Sequence, residues 1–260
     1  EGRPTICSSQ FMPGNDGDGG FASHVVVPAR GLCHVPDSLP DGLTLDMLSV
    51  IADAVTTPYE AIQRAAVSPE DLVVIVGAGG IGGFGVQIAA ARGATVVAVD
   101  IDEDRLQLAR EHGADLALDS SAMTFRELKD EIRGLAKRTG KGKTGSRIFE
   151  MSGSAAGQET AFGLMGFGSY LGVVGYTPEK ISLRLSNVMA FDATIRGNWG
   201  CAPENYPAAL QLVLDDEVKI GPYIERHSLE ELPELFEAAT RHALRRRAVV
   251  IPRERKESDA

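Results

Sequence analysis

The sequence predicts an α/β fold, a doubly wound parallel sheet. Three observations point to it: strands and helices alternate through the middle of the chain, the first of those strands is apolar throughout, and a glycine-rich turn joins that strand to its helix.

Residues 72–76 read Leu-Val-Val-Ile-Val, a strand with no polar position and hence a candidate for burial on both faces. A helix is expected over 80–92, a strand over 95–100 and a helix over 104–112. The same rhythm predicts strands over 116–118, 147–151, 169–174 and 193–197, with helices over 124–138 and 158–165 between them. Past Trp199, helices over 206–214 and 229–241 and a strand over 248–251 are expected to return toward the first segment. That first segment, 1–43, is rich in Gly, Pro, Asp and Ser around one expected strand, 21–28, which needs a neighbour to pack on. From 44 to 66 the apolar residues Leu48, Ile51, Ala52, Val55, Tyr59 and Ile62 fall at helical spacing, and Pro58 is expected to interrupt them. No internal repeat and no low-complexity tract is present.

The chain has 260 residues, 43% of them hydrophobic, enough to bury a full core. Its 36 acidic residues against 26 basic give a net charge of -10, which disfavours a general binder of nucleic acid or of an anionic membrane. Two local basic runs, 137–143 and 241–247, read most simply as solvated helix ends or loops. Cys7, Cys33 and Cys201 are widely spaced and contain no C-x-x-C pair, so neither a disulfide framework nor a complete cysteine zinc site can be drawn from them. No apolar run approaches roughly 18 residues, no basic-then-apolar leader opens the chain, and a cytoplasmic location is expected. The chain begins with Glu1 and not Met, and reads as a piece of something longer.

Gly77-Ala78-Gly79-Gly80-Ile81-Gly82 fits G-x-G-x-x-G directly after the apolar strand and at the opening of a helix. In that setting Gly77 makes the tight turn, Gly79 admits a diphosphate to the backbone and Gly82 lets helix and strand pack closely. Gly80 and Ile81 supply further amides at the helix N-terminus, where unpaired N–H groups and the helix dipole favour an anion. Strand 95–100 ends in Asp100, 18 residues after Gly82, where a carboxylate accepts the ribose hydroxyls and repels a 2′-phosphate. A Rossmann domain holding NAD is therefore expected, with Arg105 placed to cover the adenine.

Several stretches resemble the zinc-type medium-chain alcohol dehydrogenases: 20–24 (Gly-Phe-Ala-Ser-His), 53–59 (Asp-Ala-Val-Thr-Thr-Pro-Tyr), the glycine loop, 149–154 (Phe-Glu-Met-Ser-Gly-Ser) and 172–175 (Gly-Val-Val-Gly). The resemblance runs over essentially the whole chain and lacks that family's N-terminal portion. Stretches 177–180, 185–187 and 197–201 look most like the 6-hydroxycyclohex-1-ene-1-carbonyl-CoA dehydrogenases of anaerobic benzoyl-CoA degradation. The resemblance implies that 1–55 is the remainder of a GroES-like catalytic domain, 56–199 the NAD-binding domain, and 200–260 a segment completing the sheet edge and returning to the catalytic domain.

It further implies that Met151 and Ser152 line the path from adenine to nicotinamide, and that Val174, Gly175 and Tyr176 meet the nicotinamide. Asn198 and Thr57 would lie near the carboxamide, and Arg247 would reach the diphosphate. The family takes a catalytic zinc ligand, usually cysteine, where this chain has Asp53. Asp53 reads either as a zinc ligand on a buried face or as a surface or capping carboxylate. Cys7 matches one ligand of a structural zinc lobe, and reads as an orphaned ligand or a loop cysteine. His24 and His34 find no third ligand, and His112, His227 and His242 carry no motif.

The implied chemistry is hydride transfer from a secondary alcohol to NAD with zinc holding the alcohol oxygen, with Asp53 and Thr57 at the catalytic centre. The substrate would be a small molecule or an acyl-CoA, and the protein a homodimer or homotetramer. Two alternatives remain open: a medium-chain dehydrogenase for another secondary alcohol or polyol, and an NAD-binding module without catalysis.

Overall fold

The computed structural model describes residues 4–241 and 243–252; His242 lies outside them. Residues 4–40 form 3-10 turns at Pro4–Ile6 and Ala29–Gly31 and an isolated bridge between Pro13 and Gly17. The strand expected over 21–28 does not form, and Val26 stands 89% exposed. An extended segment becomes a strand only by pairing, and no described strand lies beside this one.

A 3-10 turn over Met47–Val50 runs into a distorted π turn over Ile51–Val55 and then helix α1, Thr56–Arg64. The break expected at Pro58 lies instead at Asp53, whose backbone takes φ 77° and ψ -62°. Pro58 sits in the first turn of α1, where its missing N–H has no intrahelical partner to lose.

The sheet follows in the expected cadence: β1 Leu72–Val76, α2 Gly82–Ala91, β2 Thr95–Asp100, α3 Glu103–Glu111, β3 Leu116–Asp119, α4 Phe125–Thr139, β4 Arg147–Glu150, α5 Ala155–Gly163, β5 Tyr170–Val173, a short helix that was not expected, α6 Ser186–Ala190, and β6 Thr194–Gly197. All six strands are parallel, in the order β3-β2-β1-β4-β5-β6. This is the Rossmann order, and its direction reverses between β1 and β4, which opens a crevice at their C-terminal ends.

Alternation along β1 divides the core. Val73 and Ile75 face one layer with Ile62, Phe84, Ile88 and Leu106, whereas Leu72, Val74 and Val76 face the other with Leu128, Ile132, Leu135 and Phe162. Helix termini are fixed locally. Thr124 and Glu127 form a reciprocal capping box at α4, Gly140 closes that helix at φ 74°, and Asp102 caps α3.

Beyond the sheet come α7 Tyr206–Leu214, β7 Ile224–Ser228, α8 Leu232–Thr240 and β8 Arg247–Ile251. Strand β7 was not expected; it pairs in parallel with β8. In the C-terminal segment Arg226 meets Asp46 at 2.6 Å, and the rings of Phe21 and Phe236 pack edge to face at 5.8 Å. No helix among the described residues is long and apolar enough to cross a membrane.

Candidate functional site

The glycine loop leaves β1 through Gly77, at φ 91°, and that turn requires glycine. Its N–H donates to Val99 O at 2.8 Å, which keeps the turn against β2. A Cβ on Gly82 would overlap the Gly77 carbonyl oxygen, so α2 reaches the strand only because that position is bare. The N–H groups of Gly80 and Ile81 make no hydrogen bond among the described residues. They point the positive end of a ten-residue helix into the crevice.

Asp100 closes the loop from the neighbouring strand. One carboxylate oxygen accepts the Ala78 N–H at 2.6 Å, and the other accepts those of Ile101 at 2.8 Å and Asp102 at 3.1 Å. The side chain is buried, with the Arg105 guanidinium 3.8 Å away. Arg105 also lies over Gly79, where a Cβ would stand 3.5 Å from it. A cavity of about 200 Å³ opens beside the loop, lined by Gly79, Gly80, Arg105, Arg245, Arg246 and Arg247 among others and by no carboxylate. In a chain of net charge -10, four arginines around free amides make this an anion-attracting cavity. A larger cavity, about 290 Å³, lies at the opposite ends of the strands and holds none of the expected cofactor residues.

At the far side of the crevice, Ser152 is exposed at the end of β4, while Met151 is buried with its sulfur against Gly85 of α2. Val174 and Gly175 are half-buried past β5, and Tyr176 projects 80% exposed. Sequence reasoning assigned no role to Glu150. It is fully buried, and its Oε1 accepts the Ser152 N–H at 2.8 Å, the Ser152 hydroxyl at 2.6 Å and the Gly153 N–H at 3.0 Å. This carboxylate shapes the turn after β4 as Asp100 shapes the one after β1. A carboxylate directly after two apolar residues at the end of an expected strand was the available signal.

Asn198, at the end of β6, accepts from Arg64 at 3.0 Å and donates to the Thr57 carbonyl at 3.3 Å, so it ties the sheet edge to α1. Arg64 pairs with buried Glu60 at 2.7 Å, and Glu60 also receives Asn205 at 2.6 Å. Burial, followed by the adjoining Glu60 charge, pushes the Cys201 thiol up to about 12, so it stays protonated at neutral pH. Asp53 sits near the same wall but not on a buried face: its side chain is 58% exposed. Thr57 donates to its Oδ1 at 2.8 Å, and Arg247 to its Oδ2 at 3.2 Å.

Residues 80–215, more than half of the chain, match the zinc-binding dehydrogenase family. The chain belongs to this family. It is 26% identical to an alcohol dehydrogenase of Geobacillus stearothermophilus over 96% of its own length and 69% of the relative's. Its fold matches that of galactitol-1-phosphate dehydrogenase from Escherichia coli with a TM-score of 0.84 at 25% identity, over 95% of this chain and 71% of the other. It also matches the alcohol dehydrogenase of the archaeon Aeropyrum pernix with a TM-score of 0.80 at 27% identity, over 95% and 70%. An oxidoreductase of the alcohol and polyol dehydrogenase kind follows from these likenesses.

The zinc that gives the family its name does not fit the described residues of this dehydrogenase. Among them no three His, Cys, Asp or Glu side chains converge as a metal site. Both oxygens of Asp53 are engaged, one by a cation, and Cys7 is an exposed free thiol. Neither expected ligand belongs to a group of three among the described residues. The diphosphate site fits, because unpaired amides, a bare turn and convergent arginines are what a phosphate requires.

Proposed function

We propose that this chain binds NAD in the crevice between β1 and β4 and serves the oxidation of a secondary alcohol to a ketone. The observation that carries the reading is the cavity where Gly79 and Gly80 meet Arg105 and Arg247, with Asp100 at the next strand end. The loop amides and Arg247 take the diphosphate, Asp100 and Arg105 the adenosine ribose, and the residues past β4 and β5 the nicotinamide half. Bound NAD supplies the hydride acceptor. The chain's part is to hold that half against the substrate: Ser152, Val174, Gly175 and Tyr176 border one side, and Thr57 with Asn198 the other. An acid at Asp100 favours NAD over its 2′-phosphorylated form by charge repulsion.

For the substrate, the ring hydroxyl of 6-hydroxycyclohex-1-ene-1-carbonyl-CoA is our specific proposal, supported by the likeness of stretches 177–180, 185–187 and 197–201. Other secondary alcohols and polyols form the second reading, favoured by the likeness to the galactitol-1-phosphate enzyme. We also propose self-association along β6, an edge strand whose four residues are all exposed. Titration calorimetry with NAD and NADP tests the cofactor, and NAD reduction with the CoA ester against sorbitol and 2-propanol tests the substrate. NAD binding with no reduction of it by any of the three alcohols overturns the catalytic reading in favour of a binding module.

A further inference from the structure

We propose that Asp53 is a positioning residue for the cofactor's diphosphate: its carboxylate holds Arg247 over the glycine loop, and the arginine so held receives the phosphates. The proposal rests on the reading above that a dinucleotide occupies that loop.

One guanidinium spans both groups. Its Nη2 donates to Asp53 Oδ2 at 3.2 Å, while its Nη1 faces Gly80, where a Cβ would lie 4.0 Å away. A planar fork can be anchored by one edge and still offer donors from the other, which an ammonium cannot do as rigidly. The carboxylate is itself fixed from within the protein, because buried Thr57 donates to Oδ1 at 2.8 Å.

The backbone is bent to bring this about. Asp53 at φ 77° and ψ -62° lies near the rare γ-turn of positive φ, which is strained for any residue with a Cβ. Its N–H is satisfied by Thr56 Oγ1 at 3.0 Å, so the surroundings hold the strained form. Buried Ile51, Ala54 and Val55 flank it, and the kink turns the carboxylate out of that apolar run to where Arg247 can reach it. Strain of this kind collects where a function requires it.

The neighbouring charges show the same design. Arg105 stands 3.8 Å from Asp100 and Arg245 stands 3.6 Å from Asp104. Three arginines of the cavity therefore each have an acid behind them, which offsets their mutual repulsion when no anion is bound. A divalent ion at Asp53 would have to displace a guanidinium, and no group of three ligating side chains forms there among the described residues. The misfit with zinc and the contact with Arg247 are accounted for by one role.

The test is titration of the whole chain with ADP, and with adenosine as the control that lacks phosphates. Asp53→Asn keeps the side-chain shape and a residue type tolerant of positive φ. It should weaken ADP binding roughly five- to tenfold and leave adenosine unchanged. Arg247→Met should weaken ADP at least as much, and the double variant should be no weaker than Arg247→Met alone, since both act through one arginine. Thr57→Val, which leaves Asp53 in place and removes only the hydroxyl that steadies it, should weaken ADP about twofold and serves if Asp53→Asn fails to fold. Unchanged ADP affinity in Asp53→Asn, losses that multiply in the double variant, or lost zinc with intact ADP affinity would each overturn the proposal. Wild-type chain that binds neither ADP nor NAD overturns the cofactor reading itself, and is told apart because no variant is needed to see it.

Discussion

Asp100 accepts the N–H of Ala78 at 2.6 Å, so the carboxylate that ends β2 also fastens the glycine loop that ends β1. Two further amides, of Ile101 and Asp102, close on its other oxygen. A residue read from the sequence as a ribose ligand is thus also part of the frame.

The consequence is that Asp100→Ala should not be a pure binding variant. Three backbone donors lose a charged acceptor, which costs about 2–3 kcal/mol of stability. Thermal unfolding should shift down together with NAD affinity. Loss of NAD binding at an unchanged melting temperature would assign the carboxylate to the ligand alone.

Glu150 should matter as much to the turn after β4. Its Oε1 gathers three donors, and it is fully buried. Glu150→Ala should cost about 3 kcal/mol, because the Ser152 and Gly153 amides are left without their acceptor. Glu150→Gln retains an acceptor oxygen and should cost about half of that. Urea midpoints of the two variants compare the losses, and equal midpoints would show that shape alone is at work.

The three cysteines should react in a fixed order. Cys7 is exposed, Cys33 is half-buried, and Cys201 is half-buried with its thiol pushed up to about 12. Iodoacetamide attacks the thiolate. At pH 8 Cys7 should be alkylated first and Cys201 only on unfolding, as peptide mass spectrometry would record. Early labelling of Cys201 would contradict its place beside Glu60.

Glu231 gives a pH dependence of definite sign. The Ser228 N–H and the His227 ring hold its carboxyl down to about 2, from an ordinary 4.5. A depressed folded-state pKa means that the contribution is present above 4.5 and is lost as pH falls toward 2. The melting-temperature gap between wild type and Glu231→Gln should therefore be present at pH 7 and close between pH 4.5 and 2. A gap that widens on acidification would refute the capping role.

Much of the sheet was legible because its signals are local. Val73 and Ile75 serve one core layer and their neighbours the other, so every position of β1 had to be apolar, and helix Tyr206–Leu214 was likewise expected at those bounds. Strand β7 was not legible, because only Ile224 of its five residues is buried and its pairing with β8 is a long-range matter. The segment 21–28 failed for the converse reason: it has strand composition but no partner.

By itself the sequence determined the six strands of the parallel sheet, the bare turn at Gly77 and Gly82 and the acid at Asp100, since each follows from a residue's own backbone freedom, polarity or place in a short period. Only the tertiary structure decided that Asp53 points outward to Arg247, 194 residues away, that Arg105, Arg245 and Arg247 share one cavity, and that Glu150 is buried. Those relations depend on which chain ends the packing of the sheet brings together, and nothing in a local stretch of sequence records that.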